Sequence, residues 1–200
     1  MTDVGTITVL DLETRSTRRL LFYARPEDHA ARNMFEIGVL ALSRAIEEGH
    51  FDARWEFYGI GKIESATSIT LARGHQLHLL PRQSQDTYKE LLRAHDLGLG
   101  LMDTPHPSLV PLEMASAGMV VVTNTFETKT EAALRDISSN IIAVEPTIET
   151  IARGLADAAR RLDDYVGRAH GSHVKWSRSS DCSFDGAFLT RLRAFTEGTP

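Results

Sequence analysis

Six short apolar runs recur along the chain, at residues 20–24, 55–60, 77–80, 97–102, 119–123 and 141–144. Each is nearly continuous in aliphatic and aromatic residues rather than alternating, which suits strands covered on both faces. Between them the period changes. Phe35, Val39, Leu42 and Ile46 mark one face of a helix over 32–48, stopped by Gly49. Tyr88, Leu91 and Leu92 mark another, with Ser84 as its N-cap and Asp86 in the first turn, where the helix dipole favours an acid. Ile148, Ile151, Leu155, Ala158, Ala159 and Leu162 mark a third. Strands alternating with helices predict βαβ units. The expected fold class is therefore α/β, a Rossmann-like parallel sheet of about six strands flanked by helices.

The ends of the chain are less regular. Residues 6–12 read as a short strand and TRSTRR as a polar connector, so 1–18 is taken as an N-terminal extension or linker. The Rossmann-like domain is assigned to 19–165. Residues 166–200 are read as a polar loop followed by an amphipathic helix near 184–195, with Ser183 as its cap, Asp185 in its first turn and Phe184, Phe188, Leu189 and Leu192 on one side. The connection GKIESATSITLARGHQ holds no clear helix, and either an extra strand at 68–72 or a loop fits it.

Composition narrows the function classes. Two hundred residues, 42% hydrophobic and 24% charged, suffice for one domain with its own core. A net charge of −5 argues against a broad nucleic-acid surface. The single cysteine, Cys182, rules out an internal disulfide framework and suits a reducing compartment. With no signal-like apolar stretch at the start and no apolar run long enough to span a bilayer, the expected location is cytoplasmic. Peripheral attachment at the inner face of the membrane stays open.

The densest chemistry lies in DTPHPSLVPLEMASAGMVVVTN, residues 103–124. It reads as strand, proline-stiffened loop, helix, glycine stop and strand. Ser108 is placed as N-cap and Gly118 as the residue after the C-cap. Pro105 and Pro107 would hold the amides of His106, Ser108 and Leu109 toward an anion, since helix-start amides are unpaired and the dipole favours negative charge. An ordinary capped turn fits the same residues. Glu113, about one turn in, could reach a sugar hydroxyl or face solvent. Arg25 and Arg32 follow the first strand, where guanidinium forks could clamp a diphosphate or pair with Glu27 and Asp28. Lys62, in GIGK, is a further candidate of that type. Arg82 follows the third run, and Asp103, Thr104 and His106 crowd the end of the fourth. The dinucleotide fingerprint, a Walker A sequence, zinc-type ligand spacing and a GxSxG elbow are all missing, so no metal or cofactor is expected.

Taken together, FYARP, ARNMFEIGVLAL, LHLLPRQSQDTYKELLRAHDLGLGLM, PHPSLVPLEMASAGMVVVTN and ETKTEAALRDISSNIIAVEPTIETIARGLADA resemble the C-terminal, nucleotide-sugar-binding domain of a retaining GT-B glycosyltransferase of family 4, closest to the rhamnosyltransferase-like branch. The resemblance covers about residues 19–162. It implies one half of a GT-B fold, a nucleoside-diphosphate sugar donor and a glycan acceptor met through an N-terminal domain that this chain does not contain. It further implies a role in bacterial surface polysaccharide synthesis. On that likeness Glu113 binds the ribose, Arg25 and Arg32 the diphosphate, Pro81 and Arg82 line the base, and the amides near Ser108 and Leu109 complete the phosphate cradle. Family members often carry a second acid eight positions before the ribose glutamate. Pro105 stands there, so either Asp103 or His106 substitutes near the departing sugar or the branch does without that acid. The segment 176–195 is similar to the element that crosses back to the partner domain. The rival expectation is a non-catalytic Rossmann-like interaction module; a nucleotide-sugar epimerase or dehydrogenase would need the missing cofactor fingerprint.

Overall fold

All six apolar runs become strands of one sheet in the computed structural model, which describes residues 1–61, 63–177 and 186–197. The strands are β1 (Arg18–Tyr23), β2 (Trp55–Ile60), β3 (Thr67–Thr70), β4 (Gln76–Leu79), β5 (Leu97–Leu99), β6 (Val120–Asn124) and β7 (Ile141–Val144), in the spatial order β3-β4-β2-β1-β5-β6-β7. Every pairing is parallel except β3 with β4. The segment left open between strand and loop is thus a seventh strand, antiparallel and at the sheet edge.

The helices are α1 (Val9–Glu13), α2 (Phe35–Glu47), α3 (Gln85–Arg93), α4 (Leu109–Ser116), α5 (Glu131–Ile137), α6 (Ile148–Arg160), α7 (Tyr165–Gly171) and α8 (Gly186–Thr196). None is long and apolar enough to cross a membrane among the described residues. Leu20, Phe22, Leu97, Leu99, Val120 and Val122 pack with α2 and α6 on one face of the sheet. Leu21 and Val121 turn to the other face, toward Leu92 of α3 and Leu112 and Met114 of α4. Both faces are therefore covered, which is why the strand sequences are apolar without alternation. Helix α4 lies unusually close to β5. A Cβ on Gly98 would stand 2.8 Å from Met114 Sδ, and one on Gly100 would stand 2.9 Å from Pro111 Cγ. Only glycine permits that approach at both positions.

Three local expectations are corrected. Residues 6–12 contain α1 rather than a strand, because Thr8 and Asp11 form a reciprocal capping box that fixes a helix start. Helix α2 begins at Phe35 rather than residue 32. A 3₁₀ turn over Asp28–Asn33 precedes it, and Met34 takes φ 51°, which an α-helix cannot continue through. The polar stretch after Tyr165 is not all loop: Asp164 caps α7 through the Gly167 amide at 2.9 Å. The seven-stranded sheet agrees with the expected parallel sheet of about six strands. The Ser84 cap is present, its hydroxyl accepting from the Thr87 amide at 3.2 Å. At the C-terminal end Ser183, Phe184 and Asp185 lie outside the described residues; Phe188, Leu189, Leu192 and Phe195 of α8 are exposed.

The amino ends of the central strands close on a buried ion centre. Asp96, fully buried at the start of β5, accepts from Arg168 of α7 at 3.0 Å and from Arg15 at 3.3 Å. Arg168 also donates to the carbonyls of Gly118 at 2.9 Å and Leu162 at 2.7 Å, and Arg15 to that of Ala117 at 3.3 Å. One carboxylate thus ties α7 and the segment after α1 to the ends of α4 and α6. Removing it leaves the buried Arg168 and the partly buried Arg15 guanidiniums without their carboxylate, and breaking such a buried pair from one side typically costs about 3–5 kcal/mol. Asp96→Ala should lose stability of that order in urea unfolding; a midpoint equal to wild type would show that the centre carries no net stabilisation.

Candidate active site

A cleft of about 560 Å³ opens at the carboxyl ends of β1, β2 and β4. Tyr23 and Arg25 enter it from the end of β1, Ile60 and Gly61 from β2, Arg82 and Gln83 from the loop after β4, Tyr88 from α3, and Val110 and Glu113 from α4. Open parallel sheets leave a crevice at this end, where helix starts and loops replace strand pairing. Three of the residues expected from sequence, Arg25, Arg82 and Glu113, share the cleft.

Glu113 is only 7% exposed, and both its oxygens are held. The Tyr88 hydroxyl donates to Oε2 at 2.9 Å and the Thr2 amide to Oε1 at 2.6 Å. Burial, with the neighbouring Glu113 carboxylate, pushes the Tyr88 phenol well above its ordinary range, so it stays a donor. Arg25 is partly committed. Its Nε lies 3.0 and 3.1 Å from the Glu27 carboxylate, and an Nη donates to the Tyr23 hydroxyl at 3.0 Å. Arg82 is exposed, with no side-chain partner among the described residues. The carbonyl of Pro81 accepts from the Gln83 side chain, so Pro81 supports a lining residue without being one.

The remaining candidates stand on the adjoining rim. Arg32 is exposed on the 3₁₀ turn before α2, and its carbonyl accepts from the Asp103 amide at 2.7 Å. That bond brings the loop after β1 against the loop before α4. Ser108 occupies the cap position of α4, but its side chain does not cap: φ 67° and ψ 148° turn it away, and its amide donates to His106 Nδ1 at 3.0 Å. The expected capping role is therefore corrected. The amides of Leu109 and Val110 begin α4 without a side-chain acceptor, and Pro111 has no N–H to satisfy. Helix α2 also starts without a side-chain cap, whereas α1, α3, α5, α6 and α7 all have one. The His106 ring meets Trp176 edge-on at 6.1 Å, which ties the chain after α7 to this loop. Lys62 lies outside the described residues.

Residues 18–156 match the family described as "WsaF, C-terminal domain". The chain belongs to that family. Among curated proteins, the O-antigen biosynthesis protein RfbC of Myxococcus xanthus is 34% identical over 149 residues, which is 70% of this chain but 10% of that protein. Among solved structures, a glycosyltransferase from Rickettsia africae superposes with a TM-score of 0.58 at 14% identity, over 86% of this chain and 48% of that one. Anabaena Alr3699/HepE in complex with UDP-glucose gives 0.56 at 14% identity, over 100% of this chain and 55% of that one. At such identities the likeness is one of fold. The WsaF-type domain thus spans about half of each of these two chains, as one half of a GT-B fold does.

Two features of this WsaF-type domain escape a linear reading. Gly61 is one. A Cβ there would lie 2.0 Å from the Ala24 carbonyl oxygen and 2.9 Å from Arg25 Cδ, so the glycine lets the β1 end and its arginine close on the cleft. Lys129 is the other. It is 3% exposed, after β6, and donates to the Met102 carbonyl, which Asn124 also binds at 3.1 Å. Glycine in GIGK and lysine in ETKT carry no local signal of these contacts.

Gly61→Ala should cost about 1–3 kcal/mol, as overpacking does, read as a lower denaturation midpoint; an unchanged midpoint would refute the close approach. Burial pulls the Lys129 ammonium from 10.5 to about 8, against the attraction of Asp103. In that window the unfolded chain binds more protons, so this group makes the fold more stable as pH rises from about 8 to about 10.5. The stability difference between wild type and Lys129→Met should therefore move toward wild type across those pH values in parallel urea titrations. A constant difference would show that Lys129 does not titrate there.

Proposed function

We propose that this domain holds the nucleoside-diphosphate sugar donor of a glycosyltransferase in bacterial surface polysaccharide synthesis. The observation that carries the reading is the convergence of Arg25, Arg82 and a buried carboxylate, Glu113, on one cleft beside the uncapped start of α4. Glu113 accepts from the ribose hydroxyls. The α4 amides, with Arg25 and Arg32, take the diphosphate, and Arg82 borders the base, on a loop whose Gln83 is held by the Pro81 carbonyl. Backbone amides and guanidiniums aimed at the departing diphosphate stabilise the charge that develops there, without a metal. Asp103 and His106 lie on the loop nearest the reacting sugar. The glycan acceptor is met through a second domain, and the enzyme works in the cytoplasm. Family 4 and its rhamnosyltransferase-like branch form the narrower part of the proposal, supported by the PHPSLVPLEMASAG block.

One observation favours the rival, a non-catalytic interaction module: Arg25 is already paired with Glu27. Calorimetry of the folded chain against UDP, GDP and dTDP separates the two. The donor reading expects at least one to bind, and Glu113→Ala to weaken it by about tenfold or more, the scale of a hydrogen bond to a charged group. A folded protein that binds none of the three would leave the interaction module.

A further inference from the structure

We infer that Glu113 is a pre-positioned ligand: the Tyr88 hydroxyl and the Thr2 amide fix its carboxylate, which makes Tyr88 and the segment before α1 working parts of the nucleoside pocket. This rests on the donor-site reading above and adds two positioning residues to it.

The geometry supports the assignment in three ways. First, the two donors divide the carboxylate, 2.9 Å from Tyr88 to Oε2 and 2.6 Å from Thr2 to Oε1. An ionised carboxylate offers about four lone-pair sites. Two are used, and two remain for a pair of vicinal hydroxyls. Second, Glu113 and Tyr88 both line the open cleft, so their bond is made at the binding surface and not deep in the core. Third, the donor at Thr2 is held in place by its own anchorage. Val4 is 1% exposed, and Arg93 of α3 donates to the carbonyls of Val4 at 2.8 Å and Thr6 at 3.3 Å while pairing with Asp11 at 3.2 Å. The chain from residue 1 to α1 is thereby strapped along α3 and delivers an amide to a glutamate 111 positions away.

Holding the carboxylate before the ligand arrives removes the cost of ordering a flexible glutamate on binding. It also sets the direction in which the free lone pairs point. A ligand that lacks the hydroxyls gains nothing from either effect.

The test uses the whole chain and calorimetry with UDP, GDP and dTDP, followed by the counterpart of whichever binds that lacks its sugar hydroxyls: 2′,3′-dideoxy for UDP or GDP, and 3′-deoxy for dTDP, which offers one hydroxyl only. Tyr88→Phe removes one donor while keeping the ring, and Thr2→Pro removes the other. Each should weaken the hydroxylated nucleotide about three- to tenfold and leave the form without those hydroxyls unchanged. In a Glu113→Ala background Tyr88→Phe should have no further effect, as coupled residues require. Equal losses on both nucleotide forms, or additive losses in the double variant, would overturn the positioning role. So would Tyr88→Phe and Thr2→Pro that bind like wild type while Glu113→Ala does not, an outcome that leaves the donor reading intact. Should Tyr88→Phe fail to fold, Thr2→Pro carries the comparison alone. If wild type binds none of the nucleotides, the donor reading itself falls and takes this inference with it.

Discussion

The close approach of α4 to β5 is the constraint on which the rest of the site depends. Gly98 and Gly100 leave no side chain between strand and helix, so Met114 and Pro111 settle directly on the sheet. That contact sets the depth of α4. It brings the helix start to the carboxyl rim and turns Glu113, one turn in, toward the cleft rather than toward solvent. A side chain at either glycine would lift the helix, and with it the carboxylate and the uncapped amides.

The two ends of the sheet divide stability from chemistry. At the amino ends Asp96 accepts from Arg168 and Arg15, which also donate to the last carbonyls of the α4 region. Burial lowers the Arg168 guanidinium below its ordinary value, and Asp96 opposes that shift. At the carboxyl ends, polar groups are left available: the starts of α2 and α4, and the exposed Arg32 and Arg82. Under the proposed function, the open donors at this second end are where the diphosphate would sit.

The cations at that rim are not equivalent. Arg25 spends part of its fork on Glu27 and Tyr23, which orients it. Arg32 is exposed, and the backbone bond from Asp103 places its turn beside the loop before α4. A diphosphate seated on the α4 amides would meet one guanidinium oriented by its partners and one exposed. Lys129 sits beneath this rim, buried under the Met102 carbonyl, and braces the loop rather than presenting its charge to solvent.

Local sequence determined much of the frame. Runs such as LGL and VVVTN read as strands buried on both faces, because short continuous apolar segments between helical periods suit a sheet covered on both sides. Ser84 capped α3 because the hydroxyl and the Thr87 amide lie within one turn. The same locality misled where two signals competed. The apolar residues of 6–12 suggested a strand, but the Thr8 and Asp11 capping box decided for a helix. A polar stretch suggested a loop at 166–171, but Arg168 reached Asp96, 72 positions away, and paid its burial as an ion pair. Candidate site residues were legible as types: an acid after a proline-stiffened loop, and arginines after strands. Which of them share a cleft was not, since that depends on which strands lie side by side. Tyr88 read only as a hydrophobic marker and Thr2 as part of a linker. Only the packed chain, in which α3 and the N-terminal strap meet α4, could bring both to Glu113, because hydrogen bonds between residues 25 and 111 positions apart leave no trace in local pattern.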